Sequence, residues 1–147
     1  MGIDVTSLKS LKKVAKAISE CMQPGDCFLL YGGMGAGKTT FVSYVMDALS
    51  VQNVTSPTFS IINQYTYHTP IYHFDLYRIT TPQAVLGLDL DRYFMNQDAI
   101  FFIEWPEHLF DFLPEKAIKT IFEMTNDGYR YLSFPPTFEK KVVLAMK

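Results

Sequence analysis

The sequence predicts an α/β fold: a mixed β-sheet flanked by helices, with antiparallel hairpins added to it. Three observations carry that expectation. A short apolar strand leads through a glycine-rich loop into a helix across residues 27–49. The continuous apolar run Ile100-Phe101-Phe102-Ile103 has the pattern of a central strand buried on both faces. Two pairs of strand-like runs are joined by connections too short for a helical crossover, so each pair closes as a hairpin.

Taken in order, Ser7 or Thr6 can cap a first helix. Leu8, Leu11, Val14, Ala15, Ile18 and Met22 follow at helical spacing and form its apolar face. Lys9, Lys12, Lys13 and Lys16 fall mainly on the other side, the pattern of a solvated face far more often than of a tRNA or partner patch. Pro24-Gly25 ends the helix, and Cys27 to Tyr31 forms the next strand. Thr40 to Leu49 continues as a helix after the glycine loop. Val54 to Phe59 is a polar turn stiffened by Pro57. Strands over Ser60 to Tyr67 and Ile71 to Tyr77 meet across His68-Thr69-Pro70. Pro82 to Phe94 holds short helical patches, and the apolar strand from Ile100 ends in Glu104. Ala117 to Met124 and Tyr129 to Phe134 bracket Asn126-Asp127-Gly128, a strong hairpin turn. A short helix is expected between Thr137 and Lys147.

A chain of 147 residues, 48% hydrophobic and 15% aromatic, has the size and composition of one globular domain spanning 1–147. Its net charge of −2 gives no electrostatic footprint for nucleic acid, so any RNA is met through a partner. Cys21 and Cys27 flank a turn and read as core thiols of a reducing compartment, too few for a structural zinc site. No apolar run approaches a membrane span, and no secretory signal is visible. The opening Met1 to Thr6 matches the short N-myristoylation pattern, a coincidence outside a eukaryotic cell. A cytoplasmic protein without membrane association is expected.

The chemistry begins at Gly32-Gly33-Met34-Gly35-Ala36-Gly37-Lys38-Thr39, which fills every position of G-x-x-x-x-G-K-[ST], the phosphate-binding P-loop. Glycines let successive backbone N–H groups approach a triphosphate, and the following helix turns its positive end to the same anion. Gly33, Met34, Gly35, Ala36, Gly37, Lys38, Thr39 and Thr40 are therefore the candidate contacts to ATP or ADP. Lys38 reaches the β- and γ-phosphates, and the Thr39 hydroxyl holds Mg²⁺. The fold class narrows to a P-loop NTPase-like sheet.

Catalysis needs a metal ligand and a group that positions water. Glu104 can meet Mg²⁺ from the strand end opposite Thr39, or it simply marks that end. His73, Asp75 and Tyr77 alternate onto one strand face. That face either orders water around the metal and γ-phosphate or is a solvated surface. The chain's three arginines, Arg78, Arg92 and Arg130, are scattered and few. A kinase that holds two phosphorylated substrates needs more cations, so hydrolysis of ATP is the simpler reaction. A small-molecule kinase and a nucleotide-switched binding module are the alternatives.

Beyond the P-loop, the sequence carries SPTF at Ser56 to Phe59, NQY at Asn63 to Tyr65 and YHFDLYR at Tyr72 to Arg78. LGLD follows at Leu86 to Asp89, and IEWPE at Ile103 to Glu107. With these motifs, in this order and spacing, the chain resembles the TsaE (YjeE) family. Its members are small bacterial ATPases needed for N6-threonylcarbamoyladenosine formation on tRNA. The similarity runs from Leu29 through Glu107 and, more weakly, over both ends. It implies a slow ATPase stimulated by two partners, TsaD and TsaB, with tRNA engaged only indirectly. By similarity, Lys38 binds phosphate, Thr39 and Glu104 hold Mg²⁺, and Asp75 belongs to the catalytic machinery. Thr55 or Thr58 lies where P-loop proteins sense the γ-phosphate. Trp105 packs at the site edge or serves as a plain core residue. The family usually has an acidic residue at the position of Gly33, and a Thr and a Gly in its first helix that are not evident here.

Overall fold

The computed structural model describes residues 2–53, 61–114 and 116–147. The polar turn expected over residues 54–59, with Thr55 and Thr58, lies outside the described residues. Among those described, the strands are β1 (Ile3–Asp4), β2 (Cys27–Tyr31), β3 (Ile62–Tyr65), β4 (Ile71–Asp75), β5 (Ile100–Glu104), β6 (Ile118–Met124) and β7 (Arg130–Ser133). The α-helices are α1 (Leu8–Cys21), α2 (Lys38–Leu49), α3 (Pro82–Leu86), α4 (Leu90–Phe94) and α5 (Pro136–Ala145), with a 3-10 segment over Pro106–Phe112.

The strands form one mixed sheet in the order β1-β7-β6-β2-β5-β4-β3. The centre β6-β2-β5-β4 is parallel, and β3, β7 and β1 join antiparallel at the two edges. The expected α/β architecture is therefore present, and both expected hairpins close. One element departs from expectation and two carry no expectation from the sequence. β1 is only two residues long and pairs with β7, a long-range contact that no local pattern announces. The strand expected to reach Tyr77 ends at Asp75. The segment after Glu104 coils into the 3-10 turn behind Pro106.

Side-chain alternation sorts the core into two layers. Phe28 and Leu30 of β2, Ile100 and Phe102 of β5, and Ile71 of β4 pack with Val14, Ile18, Phe41 and Val142 beneath α1, α2 and α5. Leu29, Phe74, Phe101 and Ile103 face the opposite layer, against Val85, Leu90 and Leu109. Glu104 follows Ile100 and Phe102 in the period of two, so it emerges on the α2 side. α1 starts at Ser7, whose hydroxyl accepts from Ser10 N–H at 3.1 Å while Ser10 Oγ accepts from Ser7 N–H at 3.2 Å. Leu8 was expected on the apolar face but is exposed, whereas Leu11, Val14, Ala15 and Ile18 are buried.

No helix among the described residues is long and apolar enough to cross a membrane.

Candidate nucleotide site

Parallel pairing lines up the ends of three strands. Leu30 of β2 lies opposite Glu104 of β5, and Glu104 lies opposite Asp75 of β4. The loop after β2, the carboxyl of Asp75 and the carboxyl of Glu104 therefore share one edge of the sheet. In open α/β sheets, ligands bind at this edge, outside the carboxyl ends of the parallel strands.

The loop is shaped by its glycines at two points. A Cβ on Gly32 would fall 2.9 Å from Phe122 Cβ, so only glycine lets the loop leave β2 against β6. Gly37 adopts φ 103° as it opens α2, a left-handed conformation in which other residues are strained. No side chain caps this helix, so its first backbone N–H groups remain available to an anion. A cavity of about 300 Å³ lies over them, lined by Met34, Gly35, Ala36, Gly37, Lys38, Thr39 and Thr40. Asp75, Tyr77, Glu104, Trp105 and Arg130 complete its wall. Gly33 has open space on its side-chain face.

Thr39 Oγ1 donates to both Glu104 oxygens, each at 2.9 Å. The buried Glu104 carboxylate also meets the buried His73 ring, with Nε2 and Oε2 2.5 Å apart. Glu104 is thus held between a hydroxyl and an imidazole and cannot swing freely. Asp75 accepts from Tyr77 N–H at 3.2 Å, which fixes one carboxylate oxygen. Lys38 donates to the Gly32 carbonyl at 2.6 Å, and its ammonium lies 3.7 Å from the Trp105 ring centroid. Burial pushes the Lys38 pKa below its ordinary value, opposed by the carboxylates of Glu104, Glu107 and Asp75.

Trp105 has φ 59°, a conformation that a bulky residue rarely takes. The turn folds the indole back over Lys38 and beside Tyr77, with ring centroids 5.3 Å apart. A second cavity of about 480 Å³ shares Thr39, Asp75 and Tyr77 with the first and extends to Ser43, Asn53, Asn63 and His73.

The fold thus brings Lys38, Thr39, Asp75 and Glu104 to one place, with His73 behind Glu104 and Trp105 over Lys38. A hydroxyl and a carboxylate in contact are hard oxygen donors, the kind that Mg²⁺ takes, and the residues fit that ion. Arg130 was counted in the sequence only among scattered arginines. It lies on β7, and no local pattern tells which strand neighbours β6 or where β7 begins.

The family described as "Threonylcarbamoyl adenosine biosynthesis protein TsaE" matches residues 5–132. The tRNA threonylcarbamoyladenosine biosynthesis protein TsaE of Bacillus subtilis (strain 168) is 35% identical over 125 residues, 84% of this chain and 77% of that protein. The protein of the same name from Nostoc sp. is 37% identical over 124 residues, 81% of this chain and 75% of that protein. That from Borreliella burgdorferi is 31% identical over 133 residues, covering 87% and 95%. The crystal structure of Bacillus subtilis YdiB superposes with a TM-score of 0.74 at 27% identity, over 99% of this chain and 93% of that one. Fold, motif order and relatives agree: the chain belongs to the TsaE family, whose proteins serve threonylcarbamoyladenosine biosynthesis in tRNA.

Proposed function

We propose that this chain binds ATP and ADP at residues 33–40 and hydrolyses ATP in a Mg²⁺-dependent reaction. The observation that carries the proposal is the contact of Thr39 with Glu104 at the mouth of an uncapped helix that also bears Lys38. Mg²⁺ would be held by Thr39 and Glu104, and when bound it neutralises charge on the phosphates. The chain's own residues then divide the work. The loop N–H groups and Lys38 bind phosphate oxygens. Asp75, with one carboxylate oxygen held by Tyr77 N–H, keeps the other to orient a water and accept its proton. His73 holds Glu104 in place from behind. Trp105, with Tyr77 packed beside it, covers Lys38 and limits its contact with bulk water.

Turnover is slow in the isolated protein and is stimulated by TsaD together with TsaB, in support of tRNA threonylcarbamoylation in the cytoplasm. This chain touches tRNA only through those partners. Family membership supports that role, and the net charge of −2 agrees with indirect contact. Phosphate release from ATP, measured with and without the TsaB–TsaD pair, tests the reading. Slow release that accelerates with the pair is expected. The absence of any release with the pair present would remove the ATPase reading.

A further inference from the structure

Asp75 is held by a peptide group that is itself held. The Tyr77 N–H that donates to Asp75 Oδ1 shares one planar unit with the Leu76 carbonyl, and the two point in opposite directions. That carbonyl lies 2.7 Å from His108 Nδ1. A carbonyl only accepts, so Nδ1 carries the hydrogen and donates it. Fixing the oxygen fixes the N–H at the far end of the plane, and with it the side from which Asp75 is gripped. A peptide whose carbonyl accepts is also the stronger donor, so the His108 bond tightens that grip.

The Leu76 carbonyl also accepts from Ile79 N–H at 3.0 Å. That bond is local: it closes the turn after β4 and ties it to nothing else. His108 differs because it comes from the segment after β5. Its own N–H donates to the Trp105 carbonyl at 3.0 Å, and its ring stacks on the indole with centroids 5.6 Å apart. The neighbouring Leu109 is fully buried and anchors the segment in the apolar layer. The preceding peptide rests on β5 as well, with Leu76 N–H donating to the Glu104 carbonyl at 3.2 Å. Successive peptides after Asp75 are thus tied to the end of β5, one through main chain and the next through His108. Trp105 precedes Pro106, a place that ordinarily takes extended backbone, yet it turns left-handed. His108 bonds that strained turn on one side and the Asp75 turn on the other.

Resting on the ATPase reading above, we propose that His108 is a positioning residue for Asp75. It acts through the Leu76–Tyr77 peptide and aims the carboxylate at the attacking water. His108 lines neither of the two cavities, so its loss slows the chemical step and leaves nucleotide binding alone.

The test uses wild type, His108→Phe, His108→Gln and His108→Asn. Three readouts are needed: single-turnover phosphate release from Mg-ATP, ADP affinity by calorimetry, and the Tyr77 amide resonance by NMR of the isotope-labelled chain. His108→Phe keeps a flat ring beside Trp105 without a donor, and His108→Gln carries its donor too far out. His108→Asn places an amide N–H where Nδ1 stands. His108→Phe and His108→Gln are expected to slow release about 5- to 10-fold, the scale of one neutral hydrogen bond, with ADP affinity within about twofold of wild type. Both should shift the Tyr77 amide resonance, and His108→Asn should restore rate and resonance together. If His108→Phe does not fold, as judged by its melting curve, His108→Gln carries the test. A normal rate in the donor-less variants overturns the proposal, as does an equal loss of rate and ADP affinity, which would make His108 a general support of the site. An unmoved Tyr77 amide overturns it at any rate. Failure of the wild type to hydrolyse ATP, alone and with the TsaB–TsaD pair, would instead bring down the ATPase reading. The amide resonance would then still decide whether His108 governs the Asp75 bond.

Discussion

On one side of β2 lie β5, β4 and β3; on the other lie β6, β7 and β1. The first flank is parallel next to β2 and continues parallel to β4, so strand ends gather at the loop and deliver Glu104 and Asp75. The second flank turns antiparallel after β6, so it delivers the start of a strand, Arg130. One flank brings carboxylates suited to a metal and to water; the other brings a cation suited to an anion. The difference follows from chain direction. A site residue stands at the end of a parallel strand and at the beginning of an antiparallel one.

The largest expected effect belongs to the residue that both flanks depend on. Lys38→Ala removes the ammonium at the centre of the cradle, and affinity for ATP and ADP should fall about 1,000-fold, the scale of two charge-assisted hydrogen bonds. Calorimetry that returned the wild-type affinity would end the P-loop reading and the comparison with it. Next, Asp75→Asn on the parallel flank should slow ATP hydrolysis about 100-fold while leaving ADP affinity nearly unchanged. A variant that hydrolyses at the normal rate would strip that flank of its proposed chemistry.

Glu104→Gln addresses the metal alone. The gain in nucleotide affinity on adding Mg²⁺ should shrink about tenfold, with affinity in EDTA unaffected. Equal losses in both conditions would show that Glu104 shapes the loop and does not select the ion. The smallest effect is expected on the antiparallel flank. Thr6→Val removes the hydroxyl that accepts from Arg130 N–H. It should lower stability by about 1 kcal/mol and weaken ADP about threefold. A destabilised variant with wild-type ADP affinity would mean that Arg130 does not need its backbone held.

The same contrast governs what the sequence discloses. The loop from Gly32 to Thr39 is legible because strand, glycines and helix are contiguous, and Glu104 is legible because an apolar run ends abruptly in a charge. The helical face of α1 and the turn at Asn126-Asp127-Gly128 are local in the same sense. Arg130 is hidden because its place depends on which strands pair, a matter decided by residues far apart in the chain. β1 is hidden for the same reason: two residues carry no period, and only Leu132 and Tyr131 make them a strand. The contact of Trp105 with Lys38 depends on a left-handed turn at a bulky residue, which side-chain type alone argues against. His73 was read with Asp75 on one strand face, but its partner Glu104 lies on a neighbouring strand whose position the sequence does not disclose.

The central place of β2 also sets an order of events during folding. Both of its neighbours, β5 and β6, come much later in the chain, and β1 must wait for β7. Pairings of such high contact order are slow, because long loops must close before the contacts reward them. During synthesis the glycine loop and α2 leave the ribosome well before the strands that flank β2 exist. Until then β2 is an apolar strand with two open edges, so its exposure to aggregation or to chaperones lasts until β5 and β6 have been made.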